Sequence, residues 1–422
     1  MVALKSDNVR HVGGLDIPGG GQVMVRSGIA YVGHMKPPHG TSIIDVSDPK
    51  TPKLIAEIDV GSRWSHTHKV RVAGDYMITN VEQDRRHFIR RGARIPDVEK
   101  RLTSVHGRKP TAEEVADDMG VSVTDLAEMR AAVARGYDEG GFKLWDISNP
   151  AQPKLLNYVR THGFGVHRFD MDERYAYIST EMDGYVGNIL VIYDLADPER
   201  VSEVSRWWLP GQHVAGGETP TWTGYGHRLH HAMRVGNELW AAVWHAGIRV
   251  VDISDITAPK TIGAYNYHPW VVEPTHTVMP TAKQFDGRTI ALACDEEHEH
   301  RHGQPHAGLW VFDASDRTQI TPLSTFHVSE MDSPWSRSEG RFGMHQFQEH
   351  IDDDKVFCAW FSGGLRVVDI SVPEEPREDA FFMPEPRSGF GSPQTNDVDV
   401  DDRGLVYLID RNRGFDIVEY KA

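Results

Sequence analysis

The stretch Ile44-Asp45-Val46-Ser47-Asp48-Pro49 decides the fold, because it returns along the chain. Trp145-Asp146-Ile147-Ser148-Asn149-Pro150 and Tyr193-Asp194-Leu195-Ala196-Asp197-Pro198 repeat it. So do Val251-Asp252-Ile253-Ser254-Asp255, Phe312-Asp313-Ala314-Ser315-Asp316 and Val368-Asp369-Ile370-Ser371-Val372-Pro373. Phe415-Asp416-Ile417-Val418 reads as a seventh copy. Each copy is an apolar, β-branched run closed by aspartate and followed by turn residues. Short strands at recurring spacing predict an all-β chain of four-stranded blades, and seven repeat ends predict a seven-bladed β-propeller. The seventh repeat stops after its third strand, near Glu419. Val9 to Ile17 matches Leu54 to Val60 in character, so an N-terminal strand is expected to close the ring and remove its open edge.

A second phrase recurs, a histidine, any residue, then an apolar residue opening a strand. It is read at His68-Lys69-Val70, His167-Arg168-Phe169, His231-Ala232-Met233, His276-Thr277-Val278 and His345-Gln346-Phe347. Blades one and seven carry Gly21 and Asn396 there instead. The innermost strand of a blade lines the central channel, so five histidines at one repeat position should crowd its mouth. Imidazoles converging from separate strands can build a transition-metal site. The other reading is structural, with each histidine bonding the backbone of a neighbouring blade. The second strands exit on the same face, and alignment places Glu82, Glu181 and Glu296 at equivalent exits. His245, Ser362 and Arg411 are placed at other exits. Glutamates there suit the role of orienting metal-bound histidines, or are solvated loop acids.

One segment breaks the rhythm. Residues 83–140 form an insertion between the second and third strands of blade two, within a single domain spanning 1–422. It starts basic, with Arg85, Arg86, Arg90 and Arg91. Thr111-Ala112-Glu113-Glu114 is a capping box whose helix stops at Gly120, and Ser122 starts a second helix that runs to Gly136. Gly107 to Arg130 resembles, locally, the helix-turn-helix of sigma-factor region 3. Asp117, Asp118 and Glu128 nearby argue against DNA. A lid over the channel or a homodimer contact is the expected role.

The totals narrow the partners. A net charge of −16 at pH 7 over 422 residues argues against nucleic acid or an anionic membrane as the main partner. No apolar run approaches a membrane span, and Met1 to Lys5 lacks a signal-peptide core. Two cysteines, Cys294 and Cys358, imply no disulfide framework, so a cytoplasmic location is expected. There is no Gly-rich phosphate loop, CxxC pair or GxSxG elbow. The tract Asp295 to His302 reads either as a metal tract or as an exposed loop.

The repeat ends resemble the LVIVD-repeat family of β-propellers over nearly the whole chain, which implies architecture rather than reaction. The histidine register resembles, at the level of the site, carotenoid-cleaving dioxygenases, whose axial iron is held by four histidines from separate blades with glutamates behind. Selenium-binding proteins, related to methanethiol oxidases, are also His-rich propellers, and oligogalacturonate lyases carry manganese on three histidines and a glutamine. These resemblances imply a first-row transition metal on the axis. The expected ligands are four of His68, His167, His231, His276 and His345, with iron favoured, manganese next, and zinc less suited to a crowded all-histidine site. Glu82, Glu181 and Glu296 are expected behind them. His66, His227 and His245 are candidate acid–base groups. Arg85, Arg86 and Arg411 are candidates for an anionic substrate. Trp244 and Trp360 are candidates for an aromatic or apolar substrate, with Tyr225 a further mouth aromatic. The expected function is a metal-dependent oxidoreductase or oxygenase acting on a small organic molecule. A metal-dependent lyase and a non-catalytic interaction scaffold are the alternatives.

Overall fold

The computed structural model describes residues 3–223, 226–298 and 304–422. Tyr225 and the Glu299–His302 part of the acidic and histidine-rich tract lie outside the described residues. Seven antiparallel four-stranded blades surround an axis. Blade one is Gly20–Arg26, Ile29–His34, His39–Asp45 and Lys53–Asp59, ordered from axis to rim. The inner strands of blades two to six are Val70–Ala73, His162–Met171, His231–Val235, Thr275–Pro280 and Gln346–Phe347. Blade seven is Thr395–Val400, Leu405–Asp410 and Arg413–Tyr420, completed on its outer edge by the N-terminal strand Val9–Pro18. The expected fold is therefore the observed one, closed by its own N-terminus. One strand was not foreseen. Leu4–Lys5 pairs with Met383 and Phe382, adding a fifth strand to blade six.

The recurring aspartate has a local cause. In blades one to six its carboxylate accepts the backbone N–H two residues on, from Ser47, Ser148, Ala196, Ser254, Ser315 and Ser371. This turn ends the third strand at a fixed point. The apolar residue after each aspartate is then buried, as at Val46, Ile147 and Ile370. Removing such a side chain from water contributes roughly 1.5–3 kcal/mol. The seventh copy departs from this. Leu405 pairs with Glu419 as Ile29 pairs with Asp45, so the true repeat end is Glu419, not Asp416. Asp416 sits inside the strand and binds His11 and Arg387.

The axis is packed with charge. The Glu349 carboxylate, 8% exposed, accepts from Gln22 of blade one at 3.1 Å, Arg168 of blade three at 2.9 Å and Gln346 of blade six at 3.0 Å. Arg71 of blade two also bonds it. Burial pushes this carboxyl up, but Arg71, Arg168 and Lys69 outweigh it and hold it below its ordinary range. Where the ring closes, Asp397 and Asp399 of blade seven accept the backbone N–H groups of Val23 and Val25 of blade one.

The insertion holds four helices: α1, Arg86–Gly92; α2, Ile95–His106; α3, Ala112–Met119; and α4, Val123–Arg135. The Thr111–Glu114 capping box and the Ser122 cap start α3 and α4 as expected, and Gly120 ends α3 at φ 60°. Val98, Leu102, Val115, Leu126 and Met129 give it a core of its own. Arg90 of α1 pairs with Glu181, and Arg135 of α4 lies 3.6 Å over the Trp64 ring. Among the described residues no helix is long and apolar enough to cross a membrane.

Glu349 is expected to govern the stability of the ring. Glu349→Ala leaves Arg71 and Arg168 buried without their shared anion and should cost about 3–5 kcal/mol. Urea unfolding would measure this. A loss below about 1 kcal/mol would show that the axial carboxylate is dispensable.

Candidate metal centre

The inner strands start at the mouth, so their first side chains meet there. Successive imidazoles run round the channel as His66, His68, His167, His230, His276 and His345, with ring centroids 4.3, 5.2, 4.7, 4.1 and 4.3 Å apart. The member from blade four is His230, not His231. The register shows why. His345 donates its N–H to Ala359 O while Gln346 pairs with Ala359, and His230 donates to Ala242 O while His231 pairs with Ala242. His230 is thus the partner of His345 in the repeat. A one-residue shift in a strand turns a side chain to the other side. His231 lies one level deeper, its Nε2 3.3 Å from Phe169 O and its Nδ1 3.9 Å from Glu349.

The hydrogen bonds of the ring assign its tautomers. His230 Nδ1 donates to His276 O at 2.7 Å, and His345 Nδ1 donates to Asn396 O. His276 Nδ1 donates to Gln346 Oε1 at 2.9 Å. Each of these histidines therefore binds the next blade through Nδ1 and keeps an unprotonated Nε2, which in His230 accepts the His167 Nε2–H at 2.8 Å. His276 Nε2 is 4.0 Å, and His345 Nε2 3.8 Å, from the Glu296 carboxylate. His68 differs. Asn80 accepts Lys69 N–H through Oδ1 and donates through Nδ2 to Val166 O, so the same Nδ2 must donate to His68 Nδ1. The proton of His68 is consequently on Nε2, on the side that faces Glu82 at 3.8 Å.

Two donor groups stand out, His66 with His68 and Glu82, and His230 with His276 and Glu296; within each, the donor atoms lie within 4.8 Å of one another. The second has the better chemistry. His276 presents its lone pair, that of His230 is taken by the His167 N–H, and Glu296 is oriented by Arg341 at 2.7 Å and His298 at 2.9 Å. Burial favours a neutral Glu296, but His298 and Arg341 outweigh it and hold the carboxyl well below its ordinary range. Burial holds His230, His276 and His345 well below 6.5, so they stay neutral. In the first group Arg86 lies against Glu82 and across His167, 2.6 Å from Nδ1 and 3.3 Å from Nε2. His66 spans Met35 O and Glu82, each at 3.1 Å. Glu82 and Glu296 stand beside the imidazoles rather than behind them.

His66, His68, Glu82, His276 and Glu296 open into a cavity of about 810 Å³ that Lys69, Arg86, Arg341, His345 and Arg411 also line, whereas His230 does not line it. Other expected site residues lie elsewhere. Glu181 has the equivalent register to Glu82, yet Arg90 and the Phe164 N–H take its carboxylate away from the ring. His227 stacks on Trp222 at 4.5 Å, and His245 bonds Val272 O at 2.9 Å; neither lines the cavity. Pairing places Trp244, not His245, and Phe361, not Ser362, at the strand exits of blades four and six. Trp360 is fully buried edge-on to Phe326, and Trp244 is covered by Arg228 at 3.6 Å, so both tryptophans pack the fold instead of lining the cavity. Arg85 reaches the rim, but Glu128 binds its guanidinium at 2.8 Å. Arg341, Asn80 and Glu349 carried no repeat signal and went unread in the sequence.

LVIVD repeats match residues 137–161, 235–267 and 353–382, within blades two, four and six. The chain is a β-propeller that carries LVIVD repeats. No curated protein matches the propeller in sequence. Among solved structures it is similar to the periplasmic gluconolactonase PpgL of Pseudomonas aeruginosa, at 10% identity over 90% of this chain and 87% of that one, with a TM-score of 0.56. It is similar also to the WD40 β-propeller domain of Doa1, at 8% identity over 99% and 98% of the two chains, with a TM-score of 0.54. A protein from Lactobacillus plantarum aligns at 12% identity over 94% and 89%, with a TM-score of 0.53. Identities this low show a shared fold and nothing finer.

The register separates two neighbouring variants. His230→Ala should remove most bound transition metal, measured by elemental analysis, whereas His231→Ala should keep the metal and lose stability. The reverse result would restore the expectation drawn from the sequence. Stability should also depend on pH. The buried histidines regain a pKa of about 6.5 on unfolding, so below that value the unfolded chain binds more protons. Stability present above about pH 6.5 should fall as the pH drops, and a flat urea midpoint from pH 7 to about pH 5 would contradict this.

Proposed function

We propose that the propeller is a metal-dependent oxidoreductase acting on a small organic molecule in the channel mouth. The single observation behind this reading is the pair of Nε2 lone pairs on His276 and His345 beside Glu296, with His230 Nε2 joining them when His167 releases it. Two histidines and a carboxylate are the donor set of non-haem iron oxygenases, which favours iron, with manganese next. His230, His276, His345 and Glu296 would hold the ion, with His167 beside His230. A redox-active ion there would supply oxygen activation or polarise a substrate oxygen.

The remaining residues of the chain have physical tasks. Arg341 and His298 fix the orientation of Glu296, and the Nδ1 bonds fix the imidazoles. The His66–Glu82 pair is a proton-handling group in the cavity wall. It favours a second reading, a redox-neutral lyase in which His66 moves a proton. Helices α1 to α4 would act as a lid anchored by Arg86 and Arg90, limiting water at the site.

Elemental analysis of untagged protein tests the metal. Iron or manganese near one equivalent per chain is expected, and a metal-free protein with full activity would end the proposal. Oxygen uptake coupled to turnover separates the two reactions, since full anaerobic turnover would leave the lyase. Replacing residues 83–140 with a short Gly/Ser turn tests the lid. A folded, metal-loaded variant with raised KM is expected, and unchanged KM and kcat would remove that role.

A further inference from the structure

Arg411 follows the second strand of blade seven, the exit that carries Glu82 in blade two and Glu296 in blade five. The repeat thus places a cation where two other blades place anions. Its guanidinium lines the cavity, yet among the described residues no carboxylate lies within ion-pair distance. Its side-chain contact is Asn396 Oδ1, at a long 3.5 Å. Burial and then the nearby charge of Arg341 pull its pKa down to about 10, against the opposing field of Glu296. By contrast Arg341 has Glu296, and Arg413 on the rim has Asp16. Ile17, Met35, Pro37 and Phe390 line the same cavity.

We propose that Arg411, with Arg341 and Asn396 beside it, seats the carboxylate of the substrate, and that the substrate is a small organic acid with an apolar or aromatic body. This rests on the reading of the histidine ring as the reacting centre. A guanidinium fork matches a planar carboxylate in two parallel bonds. The carboxylates that share the cavity, Glu82 and Glu296, disfavour a phosphate dianion more than a monoanion. Because Arg411 neighbours His345, a carboxylate held there turns the adjoining carbons toward the Nε2 atoms and Glu296. The apolar body then covers Met35 and Phe390.

Calorimetric titration of the full chain tests this, as purified and after metal removal, with benzoate as one probe and inorganic phosphate as the other. Saturable benzoate binding at one site per chain is expected. Arg411→Met should weaken it at least ten-fold and Arg411→Lys less, with thermal unfolding of both variants checked against the parent. Phosphate should bind more weakly than benzoate. Unchanged benzoate affinity in Arg411→Met, no saturable benzoate binding, or phosphate the tighter ligand would each overturn the proposal. Failure of the metal reading is seen separately, as metal-free purified protein, because the titration does not need the ion.

Discussion

A buried carboxylate at the centre of seven converging strands sets the geometry of this protein. Each inner strand brings an unpaired edge to the axis, and polar groups there must find partners without water. Glu349 supplies one partner to blades one, two, three and six at once. Its bonds hold Gln22, Arg168 and Gln346 at one level. The residues immediately before Arg168 and Gln346 are His167 and His345. Levelling one layer of the axis therefore levels the layer above it, and the histidine ring is a consequence of how the charge beneath it is neutralised.

The structural reading of those histidines and the chemical one draw on different nitrogens of the same imidazole. An imidazole has two nitrogens, and in His230, His276 and His345 the first is spent on the neighbouring blade. That bond fixes the ring and strips the proton from the other nitrogen. Burial keeps the ring neutral. The bond that stitches two blades together is thus the bond that prepares a donor atom. His68 shows the converse, because Asn80 donates to it and moves its proton to the channel side. Charge is graded round the same mouth, with glutamates on the exits of blades two and five and arginine on that of blade seven.

Much of the architecture was legible in the chain, for local reasons. The aspartate that ends each third strand acts on an N–H two residues away, so its signal survives without tertiary context. The closing strand Val9–Pro18 showed itself by character alone. Helices α3 and α4 announced their starts through Thr111 and Ser122. Helices α1 and α2 did not, because Arg85 and Arg94 cap them with no side-chain bond. Asp416 misled because the repeat phrase matched while the strand pairing placed Glu419 at the repeat end.

By itself the sequence determined the number of blades, the manner of closure, the site of the insertion and the face on which the histidines gather. All of these follow from periodicity and from turns of two or three residues. Tertiary structure alone decided which atoms face the channel. His230 and His231 both satisfy the same three-residue phrase, and only pairing with Ala242 tells them apart. Phe361 became core and Arg411 became cavity wall at equivalent exits, because the packing of adjacent blades directs each side chain. A period of two makes every such choice binary, and the contact that settles it comes from a different blade.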